Sequence, residues 1–362
     1  MMYHYEEKLG FYQGENFEEK IIQLIRTNSP KILLTDDQVY ASCHQLMPKA
    51  FMDSLDTLIM IESGESSKSL ENAQNIWNHL VENHFPKSSM ILAFGGGVVT
   101  DLAGFVSSNY KRGIPLVHIP TSFIGMIDAS IGGKNGVNIK GHKNQVGNFY
   151  FPREIILNPS FLETLLEVDL RCGWAEHLKH LIIVGEPSWV ELINEWSNQK
   201  KVRRPNREEL ERSIHIKMNL VREDTYDQNN RKYLNFGHTI GHALEAFSFE
   251  STEHPIPHGF AIAYGMIIES WISVLESGLE RRVHNDLRKG IESMFGQIPL
   301  ELLDLDLLIP FLKSDKKNRD KNKIDMVLLE TLGKPDLTNS MDIAKLRSLF
   351  QVFMEEYKKG PV

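Results

Sequence analysis

Short apolar runs alternate with a helical stretch in the first half of the chain, and this alternation limits the fold more than any other feature. The runs KILLTD, TLIMIES, MILAFGGG and PLVHIPTS, which start at residues 31, 57, 90 and 115, are aliphatic or β-branched and end in turn residues. Such runs predict buried strands. The segment SLENAQNIWNHLVEN (69–83) has helical periodicity. A strand–helix–strand order predicts a mostly parallel sheet with helices on both faces, which binds ligands beyond the carboxyl ends of its strands.

A glycine run, FGGGVVTDLAGF (94–105), joins a predicted strand to a predicted helix. Backbone N–H groups at the start of a helix, with no side chains in the way, suit a pyrophosphate. The dinucleotide-binding pattern is incomplete because Thr100 stands where a third glycine is expected, so a packing turn is the alternative. Asp36 and Asp37 end an earlier strand, where a carboxylate either accepts ribose hydroxyls or forms a turn.

The second half of the chain has the pattern of a helical domain. Helical spacing covers residues 161–184, 189–196, 208–221, 238–247, 261–275 and 282–294, and one strand signal occurs in DMVLLETLG at 325–333. A chain of 362 residues is longer than one hydrophobic core usually serves. We therefore predict a Rossmann-like α/β nucleotide-binding domain over residues 1–159 and an α-helical domain over residues 160–362.

Composition excludes several classes of function. The chain is 41% hydrophobic and 24% charged, as is typical of globular proteins, and its net charge of −8 argues against nucleic acid or membrane surfaces as partners. Two cysteines, Cys43 and Cys172, predict neither a disulfide framework nor a CxxC motif. The N-terminal sequence lacks a secretory pattern, and we find no run of about 18 apolar residues. We expect a cytoplasmic protein with a small-molecule substrate.

A polar segment, IDASIGGKNGVNIKGHKNQVGNF (127–149), is rich in glycine, lysine and asparagine. Segments of this composition predict a loop, and polar, glycine-rich loops are often functional. Lys134, Lys143 and Asn144 could surround an anion such as a phosphate. The alternative is a flexible surface loop without a binding role.

Three histidines and one carboxylate are candidates for a metal site. His238 and His242, four residues apart, share one helix face, and His258 follows in HPIPHGF. Catalytic zinc takes three protein ligands, and Glu176 in the otherwise apolar GWAEHLKHLII could complete a set of two histidines and one glutamate. His180 is a rival ligand. Each residue alone is more often a hydrogen-bonded structural group, but the cluster favours a metal site without identifying a reaction.

Together the motifs resemble the 3-dehydroquinate synthases of the sugar-phosphate cyclase superfamily, over about residues 36–333. GGGVVTDLAGF, DASIGGKNGVN, GWAEHLK, LNFGHTIGHALE and HGFAIAYGM are similar to the family's GGGVVGDLAGF, DSSxGGKTGVN, GxAExxK, LNFGHxxGHAxE and HGExxAxGM. The pair Lys143–Asn144 is similar to the family's KN pair. The resemblance implies NAD in the α/β domain, one divalent metal (zinc or cobalt) in the helical domain, and a homodimer.

The resemblance also implies a role for individual residues. It places the metal on Glu176, His238 and His258, and turns His242 toward the substrate. The implied NAD contacts are Asp36, Glu65, Lys68, Gly96, Gly97, Asp101, Thr121, Ser122, Lys143, Phe161 and Thr164. The implied substrate contacts are Arg112 (across the dimer interface), Asp128, Lys134, Asn144, Lys179, Lys217, Arg231, Asn235, His242 and Lys317, with Lys316 as the alternative to Lys317. Catalytic roles are implied for Lys134, Lys179, Asn235 and His242.

The implied reaction converts 3-deoxy-D-arabino-heptulosonate 7-phosphate into 3-dehydroquinate and phosphate, a carbon–oxygen lyase step of the shikimate pathway. It comprises transient oxidation by NAD, β-elimination of phosphate, return of the hydride and an intramolecular aldol closure. Alternatives are another sugar-phosphate cyclase, a metal-dependent polyol dehydrogenase that accumulates NADH, and an inactive relative. Lys217, Arg231 and Asn235 favour a carboxylated substrate.

Two residues depart from the family's motifs, and Gln38 and Asp169 stand where other polar residues are expected at the cofactor site. Thr100 replaces a glycine beside the proposed pyrophosphate site, and Phe260 replaces the glutamate of HGE beside a proposed metal ligand. We expect the first to alter the turn and the second to alter metal affinity.

Overall fold

The computed structural model describes residues 9–140, 142–198, 202–251, 253–314, 323–337 and 339–359. It divides into two compact units, Met1–Leu166 with Arg204–Tyr226, and Glu167–Arg203 with Asp227–Val362. The boundary expected after residue 159 lies near the first junction. Residues 204–226, expected in the second domain, pack instead with the first unit, where Lys217 of this segment forms an ion pair with Asp128.

Strands are concentrated in the first unit. In chain order they are β1 (Leu9–Phe11), β2 (Lys31–Asp36), β3 (Thr57–Ile61), β4 (Met90–Gly95), β5 (Leu116–Pro120), β6 (Lys134–Ile139), β7 (His142–Phe149), β8 (Glu154–Leu157), β9 (Lys323–Asp325), β10 (Leu328–Thr331), β11 (Lys334–Asp336) and β12 (Ser340–Asp342). Six of them form one sheet in the order β1-β8-β5-β4-β2-β3, and every pairing in it is parallel. The predicted α/β fold is therefore confirmed.

Helices flank this sheet and build most of the second unit. In chain order they are α1 (Glu15–Ile25), α2 (Asp37–Cys43), α3 (Lys49–Met52), α4 (Leu70–Glu82), α5 (Gly97–Asn109), α6 (Glu167–Val184), α7 (Ser188–Asn198), α8 (Arg207–Glu223), α9 (His238–Ser251), α10 (His258–Glu276), α11 (Arg281–Phe295), α12 (Leu305–Ser314) and α13 (Ile343–Tyr357). Helices α1 to α5 and α8 belong to the first unit. The predicted helical second domain is confirmed.

The polar segment predicted as a loop is mostly a β-hairpin. Strands β6 and β7 pair antiparallel with each other, from Lys134 opposite Phe149 to Ile139 opposite His142. The Asn135 side chain is buried and donates hydrogen bonds to the carbonyls of Gly133 (2.8 Å) and Tyr150 (2.9 Å). The prediction of a loop was wrong because glycines and asparagines interrupt the alternation that identifies a strand.

Helices α9 and α10 approach each other closely because glycines line their contact. A Cβ atom on Gly265 of α10 would lie 2.0 Å from the carbonyl oxygen of Gly237, which just precedes α9 and has a φ of +77°. A side chain at either position would push the helices apart or strain the backbone. The His238 ring lies near the start of α10, with its centroid 5.8 Å from that of His258.

Helix α10 is more apolar than the sequence analysis indicated. By length and composition it could cross a membrane, but 78% of its most apolar window is buried in the fold. Burial of this extent is typical of a core helix, so α10 is weak evidence for a membrane span.

Candidate active site

The glycine run lies at the carboxyl edge of the six-stranded sheet. Strand β4, which ends at Gly95, lies between β2 and β5, so the ends of all three strands are neighbours. The Thr121 N–H donates to the Gly95 carbonyl at 3.0 Å, and a Cβ on Gly96 would lie 3.3 Å from the Ser122 hydroxyl oxygen. Gly96, Gly97, Thr121 and Ser122 are therefore brought together at the start of α5, where backbone N–H groups can bind an anion.

A buried ion pair lies close to the glycine run. Lys68 is buried and its ammonium donates to the Asp101 carboxylate on α5. Burial alone would lower the pKa of Lys68, but the Asp101 and Glu65 carboxylates outweigh it and raise the pKa above its usual value. Glu65 in turn accepts a hydrogen bond from the Asn138 amide at 2.8 Å. Three predicted cofactor residues, Glu65, Lys68 and Asp101, thus form one electrostatically coupled group.

Other predicted cofactor residues have structural contacts in this unit. Asp36 caps α2 by accepting the Val39 N–H at 2.8 Å, and burial raises the pKa of its carboxyl group. The buried Phe161 ring packs edge-on against Phe94 of β4, with centroids 5.4 Å apart. The Thr164 hydroxyl lies 3.1 Å from the Cys43 sulfur. These contacts hold the sheet edge together, and cofactor binding by Asp36, Phe161 and Thr164 stays a prediction.

Residues predicted to bind the substrate's anionic groups occur on three elements of the first unit. Lys217 of α8 forms an ion pair with Asp128, which lies in a π-helical turn (Gly125–Ala129). Lys134, Lys143 and Asn144 of the hairpin are exposed, as is Arg112, which has a left-handed φ of +61°. Lysine and arginine are the residue types that commonly bind phosphate, so phosphate binding by these residues stays a prediction.

The second unit contains the predicted metal cluster. The Glu176 Oε1 atom lies 3.5 Å from the Nε2 atom of His238 and 3.4 Å from that of His258. Glu176 is fully buried on α6, and its Oε1 has no hydrogen bond of good geometry within the described residues. Elements α6, α9 and α10 thus contribute one atom each, and Glu176 Oε1 lies close to both imidazole nitrogens.

These separations fit a bound metal ion. Zinc binds histidine nitrogen and carboxylate oxygen at about 2.0–2.2 Å, so two ligands of a tetrahedral site lie about 3.3–3.6 Å apart. Both measured separations fall in that interval. A buried carboxylate oxygen facing two imidazole nitrogens needs a cation. A divalent metal can supply it. So can protonated His258, because Glu245 and Glu176 outweigh burial and raise the pKa of His258 to about 10.

His242 is close enough to offer a rival set of ligands. The ligand atoms of His238, His242 and His258 lie within 4.8 Å of one another. The His242 ring centroid lies 5.1 Å from that of His238 and 5.8 Å from that of His258. The structure thus brings all three histidines together, and the division between metal ligand and substrate contact stays a prediction.

Lys179 and the turn before α9 complete this group of side chains. The Lys179 ammonium donates to Glu176 Oε2, and both side chains are 1% exposed. Burial would raise the pKa of Glu176, but Lys179 and His238 hold it well below its usual value. Arg231 is buried and Asn235 half-buried in the turn Asn230–Asn235. Lys316 and Lys317 lie outside the described residues.

Two carboxylates that sequence reasoning missed support the histidines. Glu245 Oε2 lies 3.3 Å from His258 Nδ1, and fully buried Glu269 accepts the N–H groups of Gly237 (2.6 Å) and Ile240 (2.9 Å) around His238. Glu269 lies in the apolar stretch GMIIESWIS, so the signal that singled out Glu176, a carboxylate on an apolar helix, also applies to it. Glu245 ends the quoted motif LNFGHTIGHALE.

Both departures from the family pattern are accommodated locally. The Thr100 hydroxyl donates to the Gly97 carbonyl at 3.1 Å, a hydrogen bond within α5. The Phe260 ring packs edge-on against Phe295, with centroids 5.2 Å apart. Rival ligand His180 is fully buried on α6, outside the cluster of His238, His242 and His258.

Comparison with known proteins identifies matches over most of the chain. A family model described as 3-dehydroquinate synthase N-terminal matches residues 58–172, and one described as 3-dehydroquinate synthase C-terminal matches residues 173–318. A 3-dehydroquinate synthase of Chlamydia abortus is 36% identical over 95% of this chain and 94% of its own length.

Solved structures share the fold. A 2-deoxy-scyllo-inosose synthase complexed with carbaglucose-6-phosphate, NAD+ and Co2+ is 25% identical, with a TM-score of 0.80, over 94% of this chain and 95% of that one. The 2-epi-5-epi-valiolone synthase of Streptomyces hygroscopicus, with NAD+ and Zn2+ bound, is 23% identical, with a TM-score of 0.81, over 96% and 97% of the two chains.

Proposed function

This chain belongs to the 3-dehydroquinate synthase family, and we propose that it converts 3-deoxy-D-arabino-heptulosonate 7-phosphate into 3-dehydroquinate and phosphate. One observation carries the proposal beyond family membership. Buried Glu176 presents Oε1 to the Nε2 atoms of His238 and His258 at the separations of metal ligands, while Oε2 is occupied by Lys179. A helical unit that serves only for packing has no reason to bury this set of charges.

The proposed metal ligands are Glu176, His238 and His258, and the metal is zinc or cobalt. When bound, the metal lowers the pKa of a substrate hydroxyl and polarises the ketone formed from it. His242, beside both histidine ligands, faces the substrate and moves a proton through a ring nitrogen. Lys179 holds Glu176 in place and directs positive charge toward the substrate's oxygens.

The proposed NAD site uses the carboxyl edge of the sheet. The residues at this edge would hold NAD, which would supply reversible hydride transfer with a secondary hydroxyl of the substrate and would not be consumed. Gly96 and Gly97 leave the backbone at the start of α5 accessible to the pyrophosphate. Asp36 accepts hydrogen bonds from the ribose hydroxyls. The group of Lys68, Glu65 and Asp101 stabilises the surface beside the glycine run.

Further NAD contacts are proposed for Thr121, Ser122, Lys143, Phe161 and Thr164. Thr121 and Ser122 follow β5 directly beside the glycine run. Phe161 and Thr164 lie in the turn Pro159–Thr164 that packs under the end of β4. Their positions at one sheet edge are what a dinucleotide requires of its neighbours.

The proposed substrate contacts divide by the charge they meet. Lys134, Asn144 and Lys217 bind phosphate and hydroxyl oxygens, and Asp128 accepts from a hydroxyl. Arg231, Asn235 and Lys317 hold the carboxylate and its neighbouring oxygens, which an uncarboxylated sugar phosphate lacks.

A homodimer in which Arg112 reaches the other subunit's phosphate site completes the proposal. Two free, buried cysteines fit a reducing cytoplasm.

A single assay tests the reaction. Purified protein receives the heptulosonate phosphate, NAD and Zn²⁺ or Co²⁺, and phosphate release is followed together with NADH absorbance. We expect phosphate and dehydroquinate in equal amounts, no net NADH, and loss of both products after chelation. Accumulating NADH would identify a dehydrogenase instead. Phosphate release from an uncarboxylated sugar phosphate, with none from the heptulosonate, would identify a different cyclase.

A further inference from the structure

Two histidines of the proposed metal centre have the same orientation. His238 and His258 both turn Nε2 toward Glu176 Oε1, at 3.5 Å and 3.4 Å. Both also place Nδ1 next to an oxygen: His238 at 3.1 Å from the Phe236 carbonyl, and His258 at 3.3 Å from Glu245 Oε2. An acceptor at Nδ1 holds the proton there, and this leaves the Nε2 lone pair free to bind a metal.

The two acceptors differ in kind. The oxygen facing His238 is a backbone carbonyl, fixed by the chain just before α9. The oxygen facing His258 belongs to a side chain of α9, seven residues after His238 and three after His242. The spacings of three and seven place Glu245 on the helix face that carries both histidines. Glu245 is 9% exposed, and a carboxylate this buried is costly unless it has a polar partner.

We propose that Glu245 is a positioning residue that orients the His258 imidazole for the metal, an inference that rests on the metal centre proposed above. Glu245 accepts the Nδ1 proton of His258, fixes the ring about its Cβ–Cγ bond and increases the basicity of Nε2. One helix, α9, then supplies a metal ligand through His238 and the support of a second ligand through Glu245.

Glu245 ends the motif LNFGHTIGHALE, whose last residue is also glutamate in the family pattern, and residue 260 adds no second carboxylate in this chain. The family pattern has a glutamate two residues after the histidine of HGE, and this chain has Phe260. The Phe260 ring packs against Phe295 and offers no hydrogen-bond acceptor. The carboxylate beside His258 in this chain is therefore that of Glu245, which belongs to the neighbouring helix α9.

The test compares metal binding in three variants of the full-length protein. Glu245→Ala removes the acceptor, and Glu245→Gln keeps an acceptor oxygen without the charge. Glu250→Gln, the same substitution at an exposed position of α9, is the matched control. Zinc affinity is measured by competition with a chromophoric chelator, and Co²⁺ is added separately to record its visible absorption spectrum. Thermal unfolding of the metal-free proteins shows whether each variant folds.

We expect Glu245→Ala to weaken zinc binding by about 10- to 100-fold and to shift the Co²⁺ bands, because His258 can then rotate. Glu245→Gln should recover much of the affinity, since its amide oxygen still accepts the Nδ1 proton, though less strongly than a carboxylate. Glu250→Gln should bind metal like the parent protein. If Glu245→Ala also lowers the stability of the metal-free protein, the zinc affinity of Glu245→Gln tests the proposal instead, because glutamine has nearly the size of glutamate and should preserve the fold.

Two results overturn the inference, and they are distinguishable. If the parent protein binds zinc tightly and both Glu245 variants match it in affinity and Co²⁺ spectrum, Glu245 does not orient His258, and the metal centre stands. If the parent protein itself binds no zinc or Co²⁺, the proposed metal centre fails, and the role of Glu245 fails with it.

Discussion

The two carboxylate oxygens of Glu176 have different partners. Oε2 accepts a hydrogen bond from Lys179, one turn further along α6, while Oε1 faces the Nε2 atoms of His238 and His258 at 3.5 Å and 3.4 Å. Lysine therefore balances the charge of the carboxylate without occupying the oxygen that the metal needs. Glu176 thus stabilises the fold through Oε2 and takes part in the proposed chemistry through Oε1.

This division predicts how Lys179→Met behaves. Removing one partner of a buried ion pair costs about 3–5 kcal/mol of folding free energy, because the other charge is left without compensation. The two histidines near Glu176 offset part of this, so we expect about 3 kcal/mol in metal-free protein. Zinc should then stabilise the variant more than the parent, since it neutralises the buried Glu176 charge that Lys179 no longer balances. Urea unfolding with and without zinc measures both quantities.

The control for this variant is Lys345→Met. Lys345 pairs with Glu276, but its side chain is 49% exposed. An exposed pair contributes about 0–1 kcal/mol, so this variant should unfold almost like the parent with or without zinc. Equal losses in the two variants would mean that burial of the Glu176–Lys179 pair has no consequence.

His242→Ala separates the two possible ligand sets. With Glu176, His238 and His258 as ligands, the variant should retain one zinc per chain with affinity within about threefold, and lose about 10²- to 10⁴-fold in kcat as a proton-transfer residue. His238→Ala should lose the metal and the activity together. Metal content after dialysis, measured beside kcat, distinguishes the cases. A metal-free His242→Ala protein would transfer His242 to the ligand set.

Elements whose formation depends on the spacing of nearby apolar residues were predicted from the sequence. Helices α6 to α11 and strands β2 to β5 follow from apolar periodicity, and the close spacing of His238 and His242 follows from a single helix. The histidine cluster required more, because His258 comes from α10 and Glu176 from α6. The inclusion of Glu176 was predictable only because a charged residue on an otherwise apolar helix needs a polar or charged partner.

Contacts between elements explain what was missed. Glu245 and His258 are 13 residues apart, and Glu269 lies 29 and 32 residues from the N–H groups it caps. No periodicity links such pairs, so their roles follow only from the packing of α9 on α10. The β6–β7 hairpin was missed for a related reason: Asn135 is buried by hydrogen bonds to Gly133 and Tyr150, although its residue type indicates exposure.

Neighbouring glycines at the end of β4 should respond differently to alanine. A Cβ on Gly95 would lie 2.5 Å from Val99, which requires the start of α5 to move. A Cβ on Gly96 would meet only the Ser122 hydroxyl, at 3.3 Å, and needs a shift of a few tenths of an ångström. Gly96→Ala should therefore keep the melting temperature of the parent but occupy the space proposed for the pyrophosphate.

The expected result for Gly96→Ala is NAD binding weakened at least about tenfold, a loss of about 1.4 kcal/mol, as measured by isothermal titration. Gly95→Ala should instead lower the melting temperature, because overpacking costs about 1–3 kcal/mol. Undiminished NAD affinity in a well-folded Gly96→Ala protein would place the cofactor elsewhere.

Acid should destabilise the protein through two buried histidines. Burial, together with Arg288 and Arg281, lowers the pKa of His284 to about 3, and burial lowers that of His118 to about 4. An unfolded histidine titrates near 6.5, so below that pH the unfolded chain binds protons that the folded protein excludes. Folding free energy is thus lost as pH falls from about 6.5, until each folded pKa is reached. Each histidine costs up to about 1.4 kcal/mol per pH unit, or about 2 kcal/mol at pH 5.

His284→Gln tests this account. The glutamine does not titrate and can keep a hydrogen bond to Ser270, whose hydroxyl lies 2.8 Å from His284 Nδ1. Between pH 6.5 and pH 5, the variant should lose about 2 kcal/mol less stability than the parent, measured by urea unfolding at each pH. His254→Gln, at an exposed position, should follow the parent throughout. Because His118 still titrates, some acid sensitivity should remain. Parallel curves for His284→Gln and the parent would mean that His284 is protonated in the folded state and that its burial does not control the acid response.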